Sequence, residues 1–250
     1  MAFGDIKMRK KTILTIALAS MFVGLFGITY FGFGGLLTAQ TAATPTPTPD
    51  RTADKIDRPT SNRYTGDLAR FDRQNRAEKL QIERVMDILG ITEGKSVADI
   101  GAGGGWFTVI AAKRVGEKGK VYAVDINEES KQFIDDRAAK EGFKNIETVV
   151  SKTDDPLLSE KSVDAVLILN TYHEVSEPVI LLKNLRKSLR PGALVGIIDR
   201  DGKGDDHGID NEKVINEAER AGFSFKEKHT FVSGARMDYF LVFSKQGVEN

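Results

Sequence analysis

The sequence predicts an α/β fold: a mainly parallel sheet with helices on both faces, an antiparallel hairpin at one edge, and one apolar span ahead of it all. Three observations carry this. From residue 95 onward, strand-like and helix-like runs alternate, the pattern of βα units on a parallel sheet. The first unit turns on Val97–Gly105, V-A-D-I-G-A-G-G-G, which reads as strand, glycine turn and helix start. After Gly222 the rhythm breaks. Ser224–Val232 and Met237–Lys245 are strand-like runs joined through Ser-Gly with no helix between them, so they must pair antiparallel.

The chain has 250 residues, room for one domain plus an appendage. Lys+Arg and Asp+Glu are each 36, so no basic field marks a nucleic-acid partner. Cysteine is absent, which excludes disulfides, zinc-thiolate sites and a Cys nucleophile. Residues 1–11 form a basic flank with Lys7, Arg9, Lys10 and Lys11. Thr12–Leu37 then carries no charge. As a helix at about 1.5 Å per residue it exceeds the roughly 30 Å hydrocarbon core. Residues 12–39 are read as an uncleaved signal anchor, with a long signal peptide cut after Ala39 or Ala43 as the alternative. The basic flank keeps the N-terminus in the cytoplasm. The expectation is a single-pass bacterial inner-membrane protein, its domain on the extracytoplasmic side. Residues 40–62 are a linker containing A-A-T-P-T-P-T-P-D, which favours extended polyproline II. Residues 51–66 are polar and irregular, and 63–250 form the domain.

Asp67–Leu89 reads as one helix, with Leu68, Phe71, Leu80, Ile82, Val85, Met86 and Leu89 on an apolar stripe. Its C-terminal half is expected to pack on the sheet. Its N-terminal half either packs or acts as a lid in which Phe71, Asp72, Arg73 and Arg76 close over a ligand. Strands follow at 96–101, 120–126, 146–151, 163–170 and 193–199. Helices follow at 104–115, 128–141, 177–189 and 211–221, and Pro191 bars extension of the third of these.

Ligands of open α/β sheets bind beyond the carboxyl ends of the strands, near the switch in strand order. Glycines at 101, 103, 104 and 105 let backbone approach a ligand, and the helix start beyond offers unpaired N–H groups. Asp125 ends the second strand, V-Y-A-V-D-I, where a carboxylate suits two ribose hydroxyls. A dinucleotide fingerprint, G-x-G-x-x-G/A, would need a small residue at Trp106; the chain instead has D-x-G-x-G-x-G from Asp99 to Gly105. After the fourth strand comes a polar cluster, Asn170-Thr171-Tyr172-His173-Glu174.

These features resemble class I S-adenosylmethionine (SAM) methyltransferases, in particular the small-molecule, UbiE-like branch. The residues concerned are V-A-D-I-G-A-G-G-G, V-Y-A-V-D, N-T-Y-H-E, L-R-P-G at 189–192, D-H-G-I-D at 206–210 and E-A-E-R-A-G-F at 217–223. The resemblance implies a Rossmann-like seven-stranded sheet of order 3-2-1-4-5-7-6, the last strand antiparallel. It implies that Asp99, Gly101, Ala102, Gly103 and Gly105 hold the methionine end of SAM. Asp125 takes the ribose, Ile126 packs on the adenine, Asp154 meets the adenine amino group, and Asn170 lines the floor. For Asp154 a solvated turn is the competing reading. Family members that methylate arsenic rely on cysteines, so that acceptor is excluded. A domain outside the cytoplasm lies away from where SAM is made.

Methyl transfer is an in-line displacement in which alignment supplies most of the rate. A base is needed only for a hydroxyl or carbon-acid acceptor. His173 is the candidate base, Tyr172 an orienting group, and His207, after the fifth strand, a second candidate; for each histidine a structural role is the alternative. His229 in the terminal hairpin is read as structural. No helical ligand spacing supports a metal site. The expected reaction is methyl transfer from SAM to a small or lipid-like acceptor. Two other readings stay open: a non-catalytic SAM or nucleoside sensor, and an NAD(P)-dependent oxidoreductase. Against the latter stand Trp106, the hairpin and the lack of a Tyr-x-x-x-Lys pair near the fourth strand.

Overall fold

The computed structural model describes residues 54–247. The basic flank, the apolar span 12–39 and the linker up to residue 53 lie outside the described residues. Among the described residues, no helix is long and apolar enough to cross a membrane.

One sheet of seven strands has the order β3-β2-β1-β4-β5-β7-β6. Its strands are β1 (Ser96–Ile100), β2 (Lys120–Asp125), β3 (Ile146–Val150), β4 (Val163–Leu169), β5 (Leu189–Asp199), β6 (Phe223–His229) and β7 (Tyr239–Lys245). The pairs among β1 to β5 are parallel, and β7 runs antiparallel to both β5 and β6. Order and hairpin are those the sequence led us to expect. Among the described residues six α-helices accompany the strands: α1 (Arg76–Leu80), α2 (Ile82–Ile88), α3 (Trp106–Val115), α4 (Glu128–Glu141), α5 (Pro178–Ser188) and α6 (Asn211–Arg220).

Alternation along the strands builds two cores. Val97, Leu167, Phe240 and Val242 pack with α2 and α3 on one face. Their neighbours Ala98, Val166, Leu241 and Phe243 pack with α5 and α6 on the other. Ile134 of α4 packs on Ala123 and Ala102, close behind the glycine turn.

Three local expectations are corrected. The helix read over 67–89 is a 3-10 turn (Leu68–Phe71), α1 and α2, broken where Asn75 (φ 63°) and Gln81 (φ 48°) turn left-handed. Asn tolerates that conformation. At Gln81 the break lets Leu80 and Ile82, on either side, both be buried at 1% and 2% exposure. Periodicity sees the apolar residues but not the change of phase between them. Second, β5 starts at Leu189 rather than 193: Leu189 pairs with Val163, and the next pair is Ala165 with Leu194. Arg190–Ala193 bulge out between, because Pro191 has no N–H for the ladder. Third, β6 stops at His229, and a 3-10 turn, Phe231–Ala235, precedes β7. His229 sits against the rings of Phe231 and Phe240, the structural place expected of it.

Residues 54–62, read as the end of the linker, are irregular but lie on the domain. Asp54 pairs with Lys183 at 2.6 Å, and Ser61 is buried. The Arg58 side chain is buried beside Glu217 (3.3 Å) and donates to the carbonyls of Tyr172 and Val175.

Candidate functional site

The carboxyl ends of β1, β2, β4 and β5 open into a cleft of about 1410 Å³. That exceeds the roughly 300–1,000 Å³ of a single small-ligand pocket, so two ligands fit side by side.

The β1–β2 side is built by the backbone. Gly101 (φ 74°) and Gly103 (φ 53°) turn the chain away from β1. Gly101 and Ala102 donate their N–H groups to the Val124 carbonyl, which fastens the loop to β2. A Cβ on Gly101 would fall 2.3 Å from Thr171 Cγ2. Asp125 Oδ2 accepts from Gly103 N at 2.8 Å and Oδ1 accepts from Asn127 N at 3.0 Å. One lone pair on each oxygen is thereby used, and two remain for a ligand diol. Gly101, Ala102, Gly103, Asp125 and Ile126 all line the cleft. Gly105 does not. It is the left-handed N-cap of α3 (φ 71°), and a Cβ there would lie 2.9 Å from Ile134 Cγ1. Its role is to let α3 and α4 approach, so its assignment as a ligand contact is corrected to a packing one.

Asp99 is 3% exposed and accepts from Thr108 Oγ1 at 2.6 Å. Burial pushes its carboxyl up to about 6, against the Thr108 hydrogen bond and the Arg76 charge, which pull it down. Arg76 lies over the Trp106 ring at 4.2 Å, and burial brings its guanidinium down to about 10. The stretch 68–76 covers the glycine loop: the Leu68 carbonyl and the Phe71 ring lie beside Gly104 and Gly103. Arg137 of α4 latches it by pairing with Asp72 at 2.8 Å and donating to the Gly104 carbonyl at 3.1 Å. The stretch 68–76 thus lies over the glycine loop and the cleft, while α2 packs on the sheet.

The β4–β5 side holds the titratable groups. His173, 1% exposed, sits in a 3-10 turn (Tyr172–Glu174) just past β4. Its Nδ1 lies 2.8 Å and 3.0 Å from the two oxygens of Asp199, and its backbone N–H also donates to Asp199. Asp199, at the tip of β5, is 0% exposed. A carboxylate only accepts, so Nδ1 carries a proton, and in the neutral imidazole the lone pair is on Nε2. Glu174 Oε1 is 3.9 Å from Nε2, and burial raises the Glu174 carboxyl above its usual range. His207 (φ 60°) is exposed, and its ring stands edge-on to His173 at 5.9 Å. Ser61 ties the two loops together: its N–H donates to the His173 carbonyl, and its Oγ accepts from His207 N at 2.8 Å.

Two further residues are placed differently from expectation. Tyr172 is fully buried, points away from the cleft and donates to Glu217 Oε2 of α6 at 2.9 Å. At about three residues per 3-10 turn successive side chains diverge by about 120°; here His173 and Glu174 line the cleft and Tyr172 is turned to α6. Tyr172 is an anchor rather than an orienting group. Asp154 does not line the cleft; Ser151, Lys152 and Thr153 do. The Asp154 carbonyl accepts from Asn184 of α5, which turns that residue toward the helix. Asp199 is the functional residue the sequence reading passed over. Its signal was there: an acid ending an apolar strand, I-I-D, next to the switch in strand order.

The residues fit a SAM-sized ligand. Asn170 (φ 54°) lines the cleft with a buried Oδ1 that accepts no hydrogen bond among the described residues. Buried polar atoms of this kind normally have a partner, which here a ligand donor can supply. The first turn of α3 has no side-chain cap, leaving N–H groups for a carboxylate. Asp99 suits an ammonium, and Asp125 a diol.

Comparison with known proteins agrees with this geometry. A family model described as a methyltransferase domain matches residues 91–229. Demethylmenaquinone methyltransferase of Staphylococcus aureus is 26% identical over 131 residues, 50% of this chain and 54% of that protein. The chain thus spans about half the length of the curated relatives it matches. The crystal structure of a SAM-dependent methyltransferase from Aquifex aeolicus superposes with a TM-score of 0.64 and 29% identity, covering 70% of this chain and 95% of that one. Aeropyrum pernix fibrillarin with natively bound SAM shares the fold alone, at TM-score 0.52 and 14% identity over 67% of this chain and 73% of that one. The chain belongs to the methyltransferase domain family, and SAM is its cofactor.

Proposed function

We propose that the domain transfers a methyl group from SAM to a small or lipid-like acceptor, with His173 as general base and Asp199 as the residue that positions it. The observation that carries this is the buried Asp199–His173 pair beside the glycine loop. When bound, the donor supplies an electrophilic methyl whose carbon–sulfur electron pair leaves with the sulfur. The protein's own task is alignment and proton handling. The glycine loop, Asp99 and Asp125 fix one reactant. His173 Nε2 takes the acceptor's proton, Asp199 holds the ring in the required tautomer, and Glu174 stands beside the imidazolium that results. His207, the exposed neighbour, passes the proton to solvent.

The test is a pair of variants assayed with an acceptor panel and S-adenosylhomocysteine (SAH) calorimetry. His173→Ala should lower turnover by about 10²–10⁴-fold and leave SAH affinity unchanged. Asp125→Ala should do the reverse, weakening SAH about tenfold or more through lost charge-assisted bonds. If His173→Ala weakens SAH instead, the histidine is structural.

The apolar stretch 12–37 behind a basic flank supports a membrane anchor, with the domain on the extracytoplasmic side. A reporter fused after Asn250 reads this directly: activity only of a periplasm-dependent reporter is expected, and activity only of a cytoplasm-dependent one overturns the orientation.

A further inference from the structure

We propose that the methyl acceptor is an anion: beyond the group that is methylated it carries a carboxylate or phosphate, which binds across the cleft from the donor. This rests on the methyltransferase reading above.

Charge in the cleft is segregated. Asp99, Asp125 and Glu128 line the β1–β2 side, where the donor belongs, and Glu174 flanks His173. The N-terminal stretch 63–79, which includes the covering segment, contributes Arg63, Arg70, Arg73 and Lys79, and Arg200 and Arg236 come from the end of β5 and the turn before β7. Arg76, set against Asp99, and Lys152, at the tip of β3, stand apart from this group. The covering segment and the last turn touch, since the Lys79 carbonyl lies 3.1 Å from where a Cβ of Gly234 would be, and Gln81 Nε2 donates to the Phe231 carbonyl. Arg200 and Arg236 flank the register pair Asp199–Tyr239, so they leave the sheet at the same end. Three separate stretches of chain therefore bring cations to one wall.

Among the described residues, none of those six cations has a carboxylate within 4.0 Å. This contrasts with Arg58, Arg114, Arg137 and Arg190, each paired. Arg200 is the telling case. Its Nε is buried and donates to nothing among the described residues, although its own backbone N–H donates to Asp199, the residue that holds the base. A ligand anion on Arg200 satisfies the orphaned donor and relieves like-charge repulsion along the wall, and charge-assisted bonds of this type are the strong ones. It also sets the anion one residue away from the His173–Asp199 pair. Tyr64, Phe71 and Met237 line the same stretch and suit an apolar body between anion and reacting group.

Full-length protein in phosphatidylcholine nanodiscs, saturated with SAH, is titrated by calorimetry with salicylate, phenyl phosphate and the neutral isostere salicylamide. At least one anion should bind about tenfold or more tightly than salicylamide, the worth of one charge-assisted contact. Preference for salicylate assigns a carboxylate acceptor, and preference for phenyl phosphate a phosphate one. Arg73→Gln, an exposed change that leaves folding intact, and Arg200→Gln should each remove most of that preference while SAH affinity stays unchanged. If SAH binds and the three probes bind equally or not at all, or if neither variant alters the preference, the anion assignment is overturned. Failure of SAH itself to bind overturns instead the methyltransferase reading beneath it.

Discussion

The two halves of the cleft are built by different means. On the donor side the contacts are local or bridge adjacent strands. Thr108 reaches Asp99 across 9 residues, and Gly103 reaches Asp125 across 22. On the acceptor side the contacts are remote. Arg58 holds the carbonyls of Tyr172 and Val175 from 114 and 117 residues away, and Ser61 meets His207 from 146. A site made of one βαβ unit carries its own geometry and can be moved between proteins whole. A site made from an N-terminal strap, the β4 turn and the loop after β5 depends on the rest of the fold, and each of those pieces can change with the acceptor. His173, the proposed base, belongs to the second kind, because it is placed by Asp199 and by Ser61 of the N-terminal stretch 54–62.

The largest effect that would break this contrast is predicted at Glu217. Glu217 is 4% exposed, pairs with Arg58 and accepts from Tyr172. Glu217→Ala leaves a buried guanidinium without its counter-charge and a buried hydroxyl without its acceptor, and removing one member of a buried pair costs about 3–5 kcal/mol. Chemical denaturation should show that loss. In the variant that remains folded, turnover should fall with His173 displaced, while SAH affinity should stay within about twofold, since Glu217 is joined to Arg58 and Tyr172 and not to the glycine loop, Asp99 or Asp125. Equal losses of SAH binding and turnover would mean that the halves are one cooperative unit.

The same contrast explains what could be read from the sequence. The alternating βα units, the hairpin, the glycine loop, Asp99 and Asp125 were all legible, because strand periodicity and glycine spacing are properties of contiguous sequence, whereas the sheet order came from the family resemblance. His173 and His207 were legible as titratable residues at strand tips. Their relation to each other was not. Ser61 looks like one polar residue in an irregular stretch, and its burial follows only from the sheet bringing residues 61, 173 and 207 to one place. Tyr172 was misread for a related reason. Sequence puts it beside His173, but neighbouring side chains of a 3-10 turn point about 120° apart, and Tyr172 takes the direction toward α6. Asp199 was overlooked because an acid at a strand end is ordinary until a histidine from another strand is seen to lean on it. Arg58 sits in what composition marks as linker, and only its buried partner shows that it belongs to the domain.

A smaller effect sharpens the donor side. Burial raises Asp99 from 3.8 to about 6. Between those values the folded protein keeps a proton that the unfolded chain has released. The resulting stability is fully present below about pH 4 and is lost as pH rises through about 6, not gained. Two pKa units correspond to about 3 kcal/mol. In the detergent-solubilised full-length protein without ligand, stability should therefore fall between pH 4 and pH 7, and Asp99→Asn should flatten that fall, with Asn able to keep the Thr108 hydrogen bond. At neutral pH the ionised carboxylate is held in a buried place with only Arg76 as an opposing charge, a state that a cationic ammonium improves. SAH should accordingly bind more tightly at pH 7.5 than at pH 5 in the native protein, and Asp99→Asn should remove that difference. A slope that survives the substitution would locate the pH dependence elsewhere, and the donor side would then lack the electrostatic preorganisation expected of its local construction.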